Sequence, residues 1–130
     1  MPDRIFHLLP DGPAPVAPYS HAVSAGDWVF VTGQLPTGAE GEPIPTSIED
    51  QTRKVMANLK TVLAGCNASL ADAVSVRIFL TRFEAEYDAM NAVYETYFPA
   101  SRRPARTTVG VTALARGCRV EIDLVAKRGG

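Results

Sequence analysis

The residues best equipped for chemistry are Arg106 and Glu121. Arg106 stands in the run Pro104-Ala105-Arg106-Thr107-Thr108-Val109, a lone guanidinium at the head of an otherwise apolar strand, and Glu121 falls in the next strand-like segment. A guanidinium donates two parallel hydrogen bonds to a carboxylate and keeps its charge at any working pH. A neighbouring carboxylate can orient a water. The two residue types together could therefore grip a small acid and aim water at it. They could equally form an ordinary cross-strand ion pair, and these two positions alone do not separate the readings.

The elements that must position them are legible in outline. Pro10, Pro13, Pro15 and Pro18 each fix φ and lack a donor, so residues 10–19 are extended surface chain that delivers Tyr19 to a fixed place. Trp28-Val29-Phe30-Val31-Thr32 reads as a strand ended by Gly33, followed by a turn-rich loop through Gly38, Gly41, Pro43 and Pro45. Ser47 with Asp50 three residues later is a variant capping box. It opens a helix whose Ile48, Val55, Leu59, Val62 and Leu63 share one face and which Gly65 and Asn67 stop. Residues 73–81 alternate as a half-buried strand. Tyr87, Met90, Val93, Tyr94, Tyr97 and Phe98 then recur at helical spacing, a core-facing stripe with Pro99 just beyond it. Residues 106–113 and 119–126 read as two last strands, joined around Arg116-Gly117 as an antiparallel hairpin, and residues 5–8 as one further N-terminal strand.

These elements make a single α+β domain over residues 1–130, one sheet of five to six strands with two helices packed on one face. The other face would carry Phe79, Thr108 and Val125. It is too apolar for water and implies packing against another copy of the chain.

Composition excludes several function classes. With 13 basic and 14 acidic side chains and a formal charge of −1, the chain offers no electrostatic footprint for nucleic acid. No apolar stretch approaches membrane-spanning or signal-peptide length, so a cytoplasmic protein without a membrane partner is expected. Cys66 and Cys118 are far apart with no ligand spacing, which implies reduced, buried thiols. His7 and His21 flank nothing resembling a metal site, and His21 is read as an inert residue of the rim.

Five segments sit in order along nearly the whole chain: Ala17-Pro18-Tyr19-Ser20, Val31-Thr32-Gly33-Gln34, Asn91-Ala92-Val93-Tyr94-Glu95-Thr96-Tyr97-Phe98, Pro104-Ala105-Arg106-Thr107 and Val120-Glu121-Ile122. As a set they closely resemble the RidA (YjgF/YER057c/UK114) family of enamine and imine deaminases. The resemblance implies a chorismate-mutase-like fold and a homotrimer with clefts between subunits. It also implies cofactor-free hydrolysis of 2-aminoacrylate and 2-iminopropanoate type intermediates to 2-oxo acids and ammonia. Arg106 would then clamp the substrate carboxylate with help from the Gly33 amide, Glu121 would orient or polarise the attacking water, and Tyr19 would stand near the substrate's β-carbon. Thr32 would line the site, Asn91 would brace it, and Thr108, where many members have Cys, would contribute its backbone carbonyl. Thr32 replaces the commoner Ser, and His21 replaces the commoner Gln. A non-catalytic trimeric binder of 2-oxo acids stays open as an alternative. The endoribonuclease label attached to part of the family would want a basic groove and a general acid/base pair, and this chain has neither the charge nor paired histidines.

Overall fold

In the computed structural model, which describes residues 3–129, six strands and two helices follow one another in the order β1 (Arg4–His7), β2 (Ala22–Ala25), β3 (Trp28–Gln34), α1 (Ile48–Gly65), β4 (Ala73–Leu80), α2 (Phe83–Tyr94), β5 (Ala105–Gly110) and β6 (Val120–Lys127). The strands form one sheet in the order β1-β2-β3-β6-β4-β5. All neighbours are antiparallel except β4 and β5, which run parallel across the α2 crossover.

The expected hairpin between the last two strands does not form. β4 lies between β5 and β6 and pairs with both. The reason lies in the two crossovers. Strands β3 and β4, joined through α1, leave a gap one strand wide. The chain after β5 passes the end of β4, where the Val111 amide bonds the Leu80 carbonyl at 2.9 Å and the Thr81 amide bonds the Arg119 carbonyl at 3.1 Å. The final strand then fills the gap and satisfies two open edges at once. Strand β2 was also missed: its four residues Ala-Val-Ser-Ala carry too little β-branched or aromatic signal.

Helix α1 begins as expected, with the Asp50 amide donating to Ser47 Oγ at 3.0 Å. Asp50 does not close the reciprocal bond. Its carboxylate pairs with Arg53 at 2.7 Å instead. The helix buries Val55, Met56, Leu59, Val62 and Leu63 completely against Val29, Ile78, Ile122 and Ala126. Each such aliphatic side chain contributes about 1.5–3 kcal/mol by leaving water. At the far end Asn67 takes φ of 58°, a left-handed turn that asparagine tolerates better than most residues. Helix α2 starts four residues before its aromatic stripe and buries Met90, Val93 and Tyr94, with Phe98 beyond its end.

Two polar ties set the position of β6. Buried Gln51 donates from Nε2 to the Pro45 carbonyl at 2.8 Å and accepts the Arg119 amide on Oε1 at 3.0 Å. Arg119 Nε bonds both carboxylate oxygens of Glu86, at 2.9 and 3.1 Å, so α2 and the start of β6 are clamped together two residues before Glu121.

Both helices cover one face. On the other, the register brings Phe6, Val23, Phe30 and Val125 into one row and Glu121, Phe79 and Val109 into another. Phe6 is 65% exposed, Phe30 48% and Val109 41%. Thr108 is not on that face. It pairs with Ile78, a fully buried residue under the helices, because β5 lies parallel to β4 and adjacent residues there point the same way.

Candidate active site

The sites for Arg106 and Glu121 are built on opposite faces of the sheet. Arg106 is level with Val76, whose side chain lies under the helices, whereas Glu121 is level with Phe79 on the open face. Two strand spacings, roughly 10 Å, separate β5 from β6, and three residues, again roughly 10 Å, separate the two levels along β4. No ion pair joins Arg106 and Glu121 among the described residues. The cross-strand pair allowed by the sequence is therefore excluded within one chain.

What α2 builds around Arg106 is a holder. Arg106 Nη1 donates to Asn91 Oδ1 at 2.7 Å and Nη2 donates to the Tyr87 hydroxyl at 3.2 Å. Its Cζ stands 5.1 Å from the centre of the Tyr94 ring and 5.8 Å from that of Tyr87. Residues 87, 91 and 94 recur at intervals of four and three, one stripe of the helix, so a single helical face positions the guanidinium. Two of its five N–H donors are used this way. The other three have no protein acceptor among the described residues and remain free for a ligand. An open cleft of about 360 Å³ lies in front, walled by Asn91, Tyr94, Glu95, Phe98, Arg103 and Pro104. Two buried oxygens in this region lack a hydrogen-bond partner: the Tyr94 hydroxyl and Thr108 Oγ1, two residues along from Arg106 on the same face of β5. Burial pushes the Tyr94 phenol above its usual pKa, against the pull of Arg106 and Arg103.

Thr32, Gly33 and Glu121 form a second group, with the segment that carries Tyr19 tied to it through Ser20 and His21. The β3 register slips between Val31 and Gln34, a bulge that contains Thr32 and Gly33. Thr32 Oγ1 donates to the Ser20 carbonyl at 2.6 Å and the Thr32 amide donates to the His21 carbonyl at 3.1 Å, tying the Tyr19 segment to the bulge. The Glu121 carboxylate lies against Gly33, in space that a Cβ there would occupy. Tyr19 is partly exposed, and its hydroxyl accepts the Val16 amide at 3.2 Å. Burial raises the pKa of Glu121, Asp123 raises it further, and Arg77 opposes both. Arg77 is engaged with Asp123 through two hydrogen bonds of 3.0 and 2.6 Å.

His21 is not a rim residue. It is 2% exposed, its Nδ1 accepts the Leu9 amide at 2.9 Å, and its Nε2 donates to the Pro13 carbonyl at 2.7 Å. It pins the proline-rich segment from inside. His7 meets Ser24 Oγ at 2.7 Å, and Cys66 and Cys118 are buried free thiols whose pKa burial raises. Sequence reasoning placed Tyr87 and Tyr94 only in the core and overlooked Arg103. The interval 87–91–94, with an amide between two phenols, was the available signal.

The model for the family described as endoribonuclease L-PSP matches residues 10–128. The chain belongs to that family, also called RidA or YjgF. A RutC family protein of Pyrococcus horikoshii is 38% identical over 117 residues, spanning 89% of this chain and 91% of its own. A protein of Dermatophagoides farinae named 2-iminobutanoate/2-iminopropanoate deaminase is 36% identical over 125 residues, spanning 95% of each chain. The crystal structure of E. coli TdcF with bound serine superposes with a TM-score of 0.87 at 26% identity, covering 96% of this chain and 99% of that one. The architecture described above is thus the chorismate-mutase-like fold of the RidA family. No helix among the described residues is long and apolar enough to cross a membrane.

Proposed function

We propose that this RidA family member hydrolyses small 2-imino acids and their enamine tautomers to 2-oxo acids and ammonia, at a site completed by a second copy of the chain. The observation that carries the reading is Arg106: a guanidinium held in a cleft by neutral groups, with three donors free and no carboxylate partner among the described residues. A structural arginine would have its acceptors at home. The name of the Dermatophagoides relative and the amino acid bound by TdcF agree in substrate size and charge.

The division of the residues into two groups supports assembly. Arg106 and Asn91 lie at the cleft beside the edge strand β5, while Thr32, Gly33 and Glu121 lie together at the bulge of β3 with the Tyr19 segment tied to it. In a homotrimer the second group of one subunit faces the first group of its neighbour. Arg106 and the Gly33 amide then bind the carboxylate, and Tyr19 handles the proton exchanged at the β-carbon as enamine becomes imine. Glu121 orients a water that adds to the C=N carbon. The carbinolamine expels ammonia and leaves the 2-oxo acid, so water is the sole co-reactant. A protonated imine is already electrophilic, and positioning with proton transfer is sufficient catalysis.

The test is activity on 2-iminopropanoate generated in situ. Arg106→Lys keeps the charge but loses the fork and should lower kcat/KM by roughly tenfold to a thousandfold, with Arg106→Ala below detection. Both variants should keep the parent's oligomeric state. An alanine variant that turns over within a fewfold of the parent would remove Arg106 from the site.

A further inference from the structure

The cleft under α2 holds more than one carboxylate requires. Arg103 lines it beside Arg106. Among the described residues its one ion-pair partner is Glu95, at 4.0 Å, with the two side chains 52% and 61% exposed. A pair that long and that open to water holds its arginine weakly. Tyr94, 5% exposed, lines the same cleft, and both guanidiniums act on its unpartnered hydroxyl.

We propose that this cleft selects imines and enamines of four- or five-carbon 2-oxo dicarboxylic acids, with Arg106 on the carboxylate beside the C=N and Arg103 on the distal one. The inference rests on the reading of Arg106 as the carboxylate clamp and names the substrate class of that site. An uncharged tail would leave Arg103 only its long, exposed pair with Glu95, which lines the same cleft. A second carboxylate supplies an acceptor and displaces Glu95, which is free to turn into solvent. The hydrolysis is unchanged: water adds to C=N, ammonia leaves, and the distal carboxylate takes no part in bond making.

Calorimetry with 2-oxoglutarate and 2-oxobutanoate separates this inference from the catalytic reading, because it needs no turnover. The parent should bind 2-oxoglutarate roughly five- to tenfold more tightly, the discrimination available from one partly exposed charge-assisted contact. Arg103→Gln should bring the ratio close to one, Arg103→Lys should keep most of it, and Glu95→Gln should widen it by freeing Arg103. A parent ratio near one, or a ratio that Arg103→Gln leaves intact, overturns the proposal. In parallel, 2-iminoglutarate and 2-iminopropanoate are generated in situ by flavin amino-acid oxidases. If the binding ratio holds while neither imine is consumed faster than in buffer, the deaminase reading fails and the two-carboxylate cleft stands.

Discussion

Glu121 shows how one residue's environment sets both its chemistry and its cost. Burial and Asp123 push its pKa above the ordinary 4.5, with Arg77 pulling the other way. A carboxylate held above its usual range is a better proton acceptor near neutral pH, which suits a group that orients water. The same shift destabilises the folded chain. Protonated Glu121 is favoured in the fold, so the associated stability is fully present below pH 4.5 and is lost as pH rises through the higher folded-state value. Glu121→Gln should therefore melt above the parent at neutral pH, with the gap closing below pH 4.5, while its activity falls by roughly 10²–10⁴-fold. Thermal melts and rates measured across that range check both halves. A Gln variant that melts below the parent at pH 7 would show that the carboxylate makes stabilising bonds in the assembled protein.

Among the elements, the bulge of β3 matters most to the site. A regular strand would turn Thr32 and Gly33 into ladder residues. The slip between Val31 and Gln34 instead leaves them facing the Tyr19 segment on one side and Glu121 on the other. Gly33 is required by space and not by φ: the atom a Cβ would strike is the tip of the Glu121 side chain, which can swing away. Gly33→Ala should consequently leave stability within about 1 kcal/mol of the parent, because relaxation of a flexible side chain and the loss of glycine's unfolded-state entropy offset each other. Its kcat/KM should fall by at least about tenfold, since both the amide's approach and the carboxylate's place are disturbed. Unchanged turnover with an unchanged melting temperature would show that Glu121 does not act from beside Gly33.

At the scale of the molecule, the open sheet face decides what the chain must do in solution. Phe6, Phe30 and Val109 are 41–65% exposed on a face that carries Phe79 and Val125 between them. An apolar surface of that kind on a small domain calls for a partner. The native mass should be three times the 13.9 kDa of the chain. Val109→Asp puts a charge on the edge strand where an isolated chain would tolerate it, so the variant should fold, elute as a monomer at micromolar concentration and lose activity together with assembly. A parent that elutes as a monomer with full activity would remove the shared site from consideration.

Local signals sufficed for α1 and its Ser47 cap, for five of the six strands and for the apolar second face. Each of these depends on neighbours a few residues away, through periodicity, capping or a side chain's intrinsic chemistry. Strand order was a different matter. Whether β6 pairs with β5 or enters the gap between β3 and β4 depends on which edges the two crossovers leave open, and no local pattern encodes that. The same choice moved Arg106 and Glu121 to opposite faces, put Thr108 under the helices, and gave Arg106 its partners from α2 in place of Glu121. Likewise the burial of His21 follows from Leu9 and Pro13 closing over it, contacts made across twelve and eight residues of irregular chain. Sequence by itself determined which residue types are on offer for chemistry and most of the elements that carry them. Tertiary structure alone decided which of them can meet, because a side chain's face and neighbours are set by edge pairing between strands distant in the chain.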